Sequence, residues 1–102
     1  MQIIKTISAQ IEAELHDAKD YVQLALKHKE GHPDLASTYY RLSEDEMNHV
    51  GKLHDAAVVL IEDYKAKKGA PPASMLAVYE YLHDRHIEAE AEVRSMMQMW
   101  KK

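Results

Sequence analysis

The sequence predicts an all-α protein, a three-helix chain built on a long antiparallel hairpin. Two observations lead there. Gly and Pro gather in two short segments, Gly31-His32-Pro33 and Gly69-Ala70-Pro71-Pro72, with Gly51 the one exception. The long stretches between them carry apolar residues at steps of three and four, the period of a helix with one buried face. No strand-like alternation persists for more than a few residues.

The first helix is expected over about 4–29. Its main apolar stripe is Ile4, Ile7, Ile11, Ala18, Tyr21 and Ala25, and Leu15, Val22 and Leu26 form a second flank. Two flanks imply two neighbours, the rest of the chain on one side and another subunit on the other. Gly31 offers a helix end, Pro33 cannot continue the helix, and Asp34 can cap the next one. The second helix, about 34–67, carries Leu35, Leu42, Leu53, Ala56, Leu60 and Tyr64. At 1.5 Å per residue it is roughly 50 Å long, a rod suited to an elongated bundle. Gly69 to Ser74 repeats the turn logic, with Lys65, Lys67 and Lys68 placed to complement the helix dipole. The third helix, about 74–100, carries Met75, Tyr79, Leu82, Ala89, Val93, Met96 and Trp100.

Composition narrows the function classes. The 102 residues make one domain, 1–102, and 46% hydrophobic residues suffice for a core. A net charge of −4 leaves no basic face to displace counterions from phosphate, so nucleic acid is not an expected partner. No apolar run approaches the length of a membrane span, and MQIIKTISAQIEAEL does not read as a secretory signal. The absence of Cys removes disulfides, thiolate metal sites and a Cys nucleophile, and makes a cytoplasmic setting the expectation. Seven His in so short a chain hint at metal or proton chemistry.

The informative residues are polar ones that fall on apolar stripes. Position 14 of the first helix is Glu, and positions 46 and 49 of the second are Glu and His. A first turn centred near residue 32 sets residue 14 across from residue 50, so Glu14 faces His49 with Glu46 one turn nearer the loop. Buried carboxylates need a cation or a strong hydrogen-bond network, and no Lys or Arg shares these stripes. A metal would supply the charge. Carboxylate and imidazole donors without thiolate suit iron or manganese, with zinc possible.

The bland readings stand beside this one. Glu14 can pair with a Lys, and Glu46 and His49 can be an ordinary i,i+3 helix pair. A lone Glu-x-x-His arises by chance in a chain this rich in both residues. A second one, Glu80/His83, reads as structural, its His expected opposite residue 58. His86 reads as a hydrogen-bonded core histidine, and Glu88, Glu90 and Glu92 as a solvated face whose Glu92 lies level with the site. Met96, Met97, Met99 and Trp100 read as packing or subunit contact.

Two local patterns carry a family resemblance. One is a Glu followed seven residues later by Tyr, here Glu14-Leu-His-Asp-Ala-Lys-Asp-Tyr21. The other is Ser43-Glu44-Asp45-Glu46-Met47-Asn48-His49-Val50-Gly51-Lys52-Leu53, an acidic stretch, then Glu-x-x-His, then Leu. Over about residues 4–64 the chain resembles the ferritin-like superfamily of di-iron carboxylate proteins, and in size and layout the encapsulated ferritins. The resemblance implies that Glu14, Glu46 and His49 are metal ligands for a di-iron centre, and that Tyr21 is a hydrogen-bonding or redox partner beside it. It implies a ferritin-like four-helix bundle completed by a homodimer or higher homo-oligomer. It further implies ferroxidase activity, Fe(II) to Fe(III) with O2 or peroxide, in iron storage or detoxification. The chain ends Met99-Trp100-Lys101-Lys102, without the apolar tail of those relatives, so an encapsulin shell is not an expected partner. The competing readings are a metal-binding module without turnover and a helical interaction or oligomerisation bundle.

Overall fold

The structure, a computed structural model, describes all 102 residues. Three helices make up the fold, with no strand: α1 Gln2–His28, α2 Pro33–Lys68 and α3 Ala73–Lys101. The expected boundaries hold to within two residues. Together the helices form a rod of 55 × 18 × 18 Å. No helix is long and apolar enough to cross a membrane.

The turns follow from local chemistry, with two changes from expectation. Gly69 adopts φ +78°, a left-handed value that a β-carbon disfavours, and its N–H donates to Lys65 O at 2.9 Å to close α2. Gly31 has no such conformation, so the first break rests on Pro33, which opens α2 at its first position with His32 as the cap. Asp34 therefore lies inside the first turn. It complements the helix dipole and makes no capping hydrogen bond. Ser74 is likewise inside α3, whose cap is Pro72.

The core runs along α1. Its buried residues are Ile4, Ile7, Ser8, Ile11, Leu15, Ala18, Val22 and Ala25. Most of this stripe follows alternating steps of three and four, the seam geometry of packed helices. Leu15 and Val22, expected on a second flank, are 3% and 0% exposed and belong to the main seam. The cause is that α2 and α3 both pack on α1 and scarcely touch each other. The two neighbours of α1 are thus both found within the chain.

Facing α1, α2 buries Ala36, Ser43 and Val50, seven residues apart, while the expected Leu35 and Ala56 are exposed. Ser43 earns its place by size and polarity: its hydroxyl donates to Ala18 O at 2.7 Å, a close approach that a larger side chain would prevent. α3 buries only His86 and Val93, and its predicted stripe of Met75, Tyr79, Leu82, Ala89, Met96 and Trp100 is half-buried. One apolar cluster joins Ile7, Ile11, Leu15 and Val50, and a second joins Ala18, Val22 and Val93. Several large apolar side chains stay exposed, among them Val58 and Val59 on α2 and Leu76, Val78, Tyr81 and Ile87 on α3.

Candidate metal centre

The tight α1–α2 hairpin fixes which residues meet across it. Ser43 bonds to residue 18, and one layer further from the loop Glu14 meets His49. His49 Nδ1 lies 3.4 Å from Glu14 Oε2 and 3.9 Å from Glu46 Oε2. One donor atom from each of the three residues lies within 4.8 Å of the others. An ion that binds each donor at roughly 2.0–2.2 Å keeps neighbouring donors about 3–4 Å apart, so the donor set fits a hard or borderline divalent cation. The contact is the one the expected register gives, with Glu14 facing His49.

The burial differs from the sequence reading. Glu14 and Glu46 side chains are 29% and 19% exposed, and His49 is 51% exposed. Leu15, not Glu14, sits on the α1 seam, and Val50, not His49, on that of α2. The three polar groups therefore flank the seam along one open edge of the hairpin. Solvent reaches the imidazole, and the carboxylates are only partly withdrawn from water.

Positive charge is scarce at this edge. The Lys and Arg ion pairs lie elsewhere: Lys19–Glu92 at 2.8 Å, Lys65–Glu62 at 3.8 Å and Arg85–Glu12 at 3.5 Å. Glu92, level with the site by sequence, is thus engaged by Lys19 between α1 and α3. The cation available to Glu14 and Glu46 within the chain is His49 itself, when protonated.

Tyr21 stands apart from Glu14, Glu46 and His49. It stacks on Tyr39 with ring centres 6.3 Å apart, about two turns along α1 from Glu14. His28 also stacks on Tyr39, at 6.2 Å, so Tyr21 belongs to an aromatic row leading to the loop.

On α3, His86 is a buried hydrogen-bonded histidine, as its stripe position predicts. Its Nε2 shares a 3.3 Å hydrogen bond with Ser8 Oγ. Burial holds its pKa below the ordinary 6.5, Glu12 pulling the other way and His83 reinforcing the shift. His83 faces His54, four residues nearer the candidate centre than its expected partner at 58, with ring centres 5.7 Å apart. His54 was not legible as a partner, because its register with α3 depends on the 69–72 connection and on how far α3 stands off α2. A further set, His16, Asp17 and Asp20, is exposed on one helix, with His16 Nδ1 3.4 Å from Asp20 and 3.9 Å from Asp17. At the far end Tyr79 Oη accepts from the Met1 amine at 3.0 Å, and burial raises its pKa.

Comparison of the chain with protein-family models, curated proteins and solved structures finds no match.

Proposed function

We propose that the chain is a ferritin-like, iron-handling protein in which two copies pair and pool Glu14, Glu46 and His49 around two iron ions. The observation that carries this reading is the convergence of two carboxylates and an imidazole from adjacent helices, with donor spacings suited to one metal. Each chain offers two carboxylates and one imidazole, half of the four-carboxylate, two-histidine set that a pair of irons shares, so a second copy across a two-fold axis supplies the other half. The partly open edge around His49 and the exposed apolar side chains of α2 and α3 give a second copy both a polar and an apolar surface to meet.

In this reading Fe(II) is the substrate. Two ions lose one electron each, and O2 takes both electrons with two protons to leave as H2O2. Glu14 and Glu46 would hold the incoming ions and neutralise their charge. His49 provides a neutral donor, and its solvent-facing side is the route by which ions enter. Tyr21, two turns away in an aromatic row that leads toward the loop, is not a ligand.

The test is Fe(II) titration under anaerobic conditions followed by exposure to O2. The expected result is stoichiometric binding and a dioxygen-dependent rise in near-ultraviolet absorbance, abolished in Glu46→Ala and His49→Ala. Full oxidation rates in both variants would remove the site assignment.

The half-exposed His49 favours one alternative, in which protonated His49 bridges Glu14 and Glu46 as an ion pair and the chain is a helical interaction bundle. Failure to take up iron after chelation and re-titration would select it.

A further inference from the structure

We infer that α3 is an acid-released helix: protonation of His86 lifts it off the α1–α2 hairpin as a unit, hinged at the 69–72 connection, while the hairpin stays folded. The device is independent of Glu14, Glu46 and His49, which lie on α1 and α2 alone.

Little holds α3 in place. It spans 29 residues yet buries two side chains, His86 at 8% exposure and Val93 at 1%. It scarcely touches α2. Its ion pairs to α1, Lys19–Glu92 and Arg85–Glu12, are solvent-exposed and so contribute little. Cavities of about 290, 340 and 250 Å³ adjoin the helix, and His86 lines all three. One of two buried anchors is therefore titratable, and it is loosely surrounded. At the base of α3, Gly69 with φ +78° separates the helix from α2, which gives the hinge.

A neutral His86 suits its place, because imidazole Nε2 and the Ser8 hydroxyl satisfy each other at 3.3 Å. An imidazolium does not. Burial withholds water from the charge, and His83 and Arg85 repel it, against the pull of Glu12 and Glu90. From the hairpin, α1 brings Glu12, His16 and Lys19 to the cleft beside His86, and α2 brings His54 and Asp55. The hairpin carboxylates are already engaged, Glu12 by Arg85 at 3.5 Å and Asp55 beside His54 Nδ1 at 3.8 Å. Glu80, Glu90, Glu92 and Arg94 lie on α3 itself and leave with it, so none of them ties a charged His86 to the hairpin except through the Lys19–Glu92 pair. His54 faces His83 with ring centres 5.7 Å apart, so protonation of both adds like charge across the gap.

Once released, His86 meets water and takes up its proton near 6.5, whereas docked it resists until lower pH. Between those values the released state binds one more proton, so the ratio of docked to released chains falls by up to about tenfold per pH unit. Release opens the cleft floored by Ile4 and Ile11, which α3 helps to cover.

The single Trp of the chain reports the event, since Trp100 on α3 stacks on Tyr40 of α2 at 5.2 Å. The full chain, without added metal, is titrated from pH 7 to 5 and followed by Trp100 emission, binding of an apolar dye and far-ultraviolet circular dichroism. The expected result is a reversible change in emission and a gain of dye while helix content stays nearly constant. Val93→Ala weakens the other anchor and should move the midpoint to higher pH. In His86→Gln the emission should no longer depend on pH in this range. Emission that is flat in the unaltered chain, a transition that persists in His86→Gln, or a midpoint unmoved by Val93→Ala overturns the proposal. So does loss of helix in step with the emission change, which would mean that the whole chain unfolds.

Discussion

The α1–α2 hairpin and the α1–α3 contact use the same central helix in different ways. In the hairpin, small residues let the backbones approach: Ala18, Ala25, Ala36 and Ser43 are all 0% exposed, and Ser43 bonds directly to the opposite main chain. α3 has two buried anchors, His86 and Val93, and otherwise reaches its neighbours through long side chains such as Lys29 to Trp100 O, Lys19 to Glu92 and Arg85 to Glu12. The hairpin is therefore a fixed frame and α3 a more loosely docked helix. The polar groups on each side inherit that difference. Glu14, Glu46 and His49 are brought within reach of one another by the frame itself. His54 and His83 meet on the slack side only through a tilted ring contact, their centres 5.7 Å apart.

The strongest way to break this contrast is to hollow out the frame. Leu15→Ala removes a side chain that is 3% exposed, and it is expected to cost about 2–5 kcal/mol in urea denaturation. Val93→Ala should cost less, about 1.5–3 kcal/mol, and its effect should be local. In hydrogen exchange, α3 amides should lose protection ahead of those in α1 and α2. Equal loss across all three helices would erase the distinction between frame and docked helix.

The smallest expected effect sharpens the contrast through pH. The His86 pKa is lowered by burial, so the native state resists protonation while the unfolded chain takes up a proton near 6.5. The contribution of His86 is fully present above that pH and is lost as pH falls toward the depressed native value. Melting temperatures measured between pH 7 and 5 should therefore fall less steeply in His86→Gln, which keeps a hydrogen-bonding group toward Ser8 but cannot titrate. An unchanged slope would place the acid sensitivity elsewhere.

The helices were legible because Pro33, Gly69, Pro71 and Pro72 leave the chain few other ways to turn. The meeting of Glu14 with His49 was legible too, since a short connection between two rigid rods sets their register to within one residue. The depth of that meeting was not. On α1 the series through Glu14 and Tyr21 and the series through Leu15 and Val22 both satisfy a helical period. Only the placement of α2 and α3 on either side of α1 selects the second. Of the apolar residues read as a surface for another subunit, Leu15 and Val22 are the seam itself and Leu26 is half-buried. The pairing of His54 with His83 lay beyond reach for a related reason: α3 stands off α2, so the loop does not fix their relative level as it does in the hairpin.

An odd number of antiparallel passes has a practical consequence. The Met1 amine rests against Tyr79 at one extremity of the rod, and α3 finishes at the other, where Trp100 meets Lys29 beside the first loop. Tags or domains fused to the two termini would project in opposite directions, separated by most of the 55 Å length. Copies joined tail to head would string out end to end, while copies pairing edge to edge would lie side by side with their termini free at both ends.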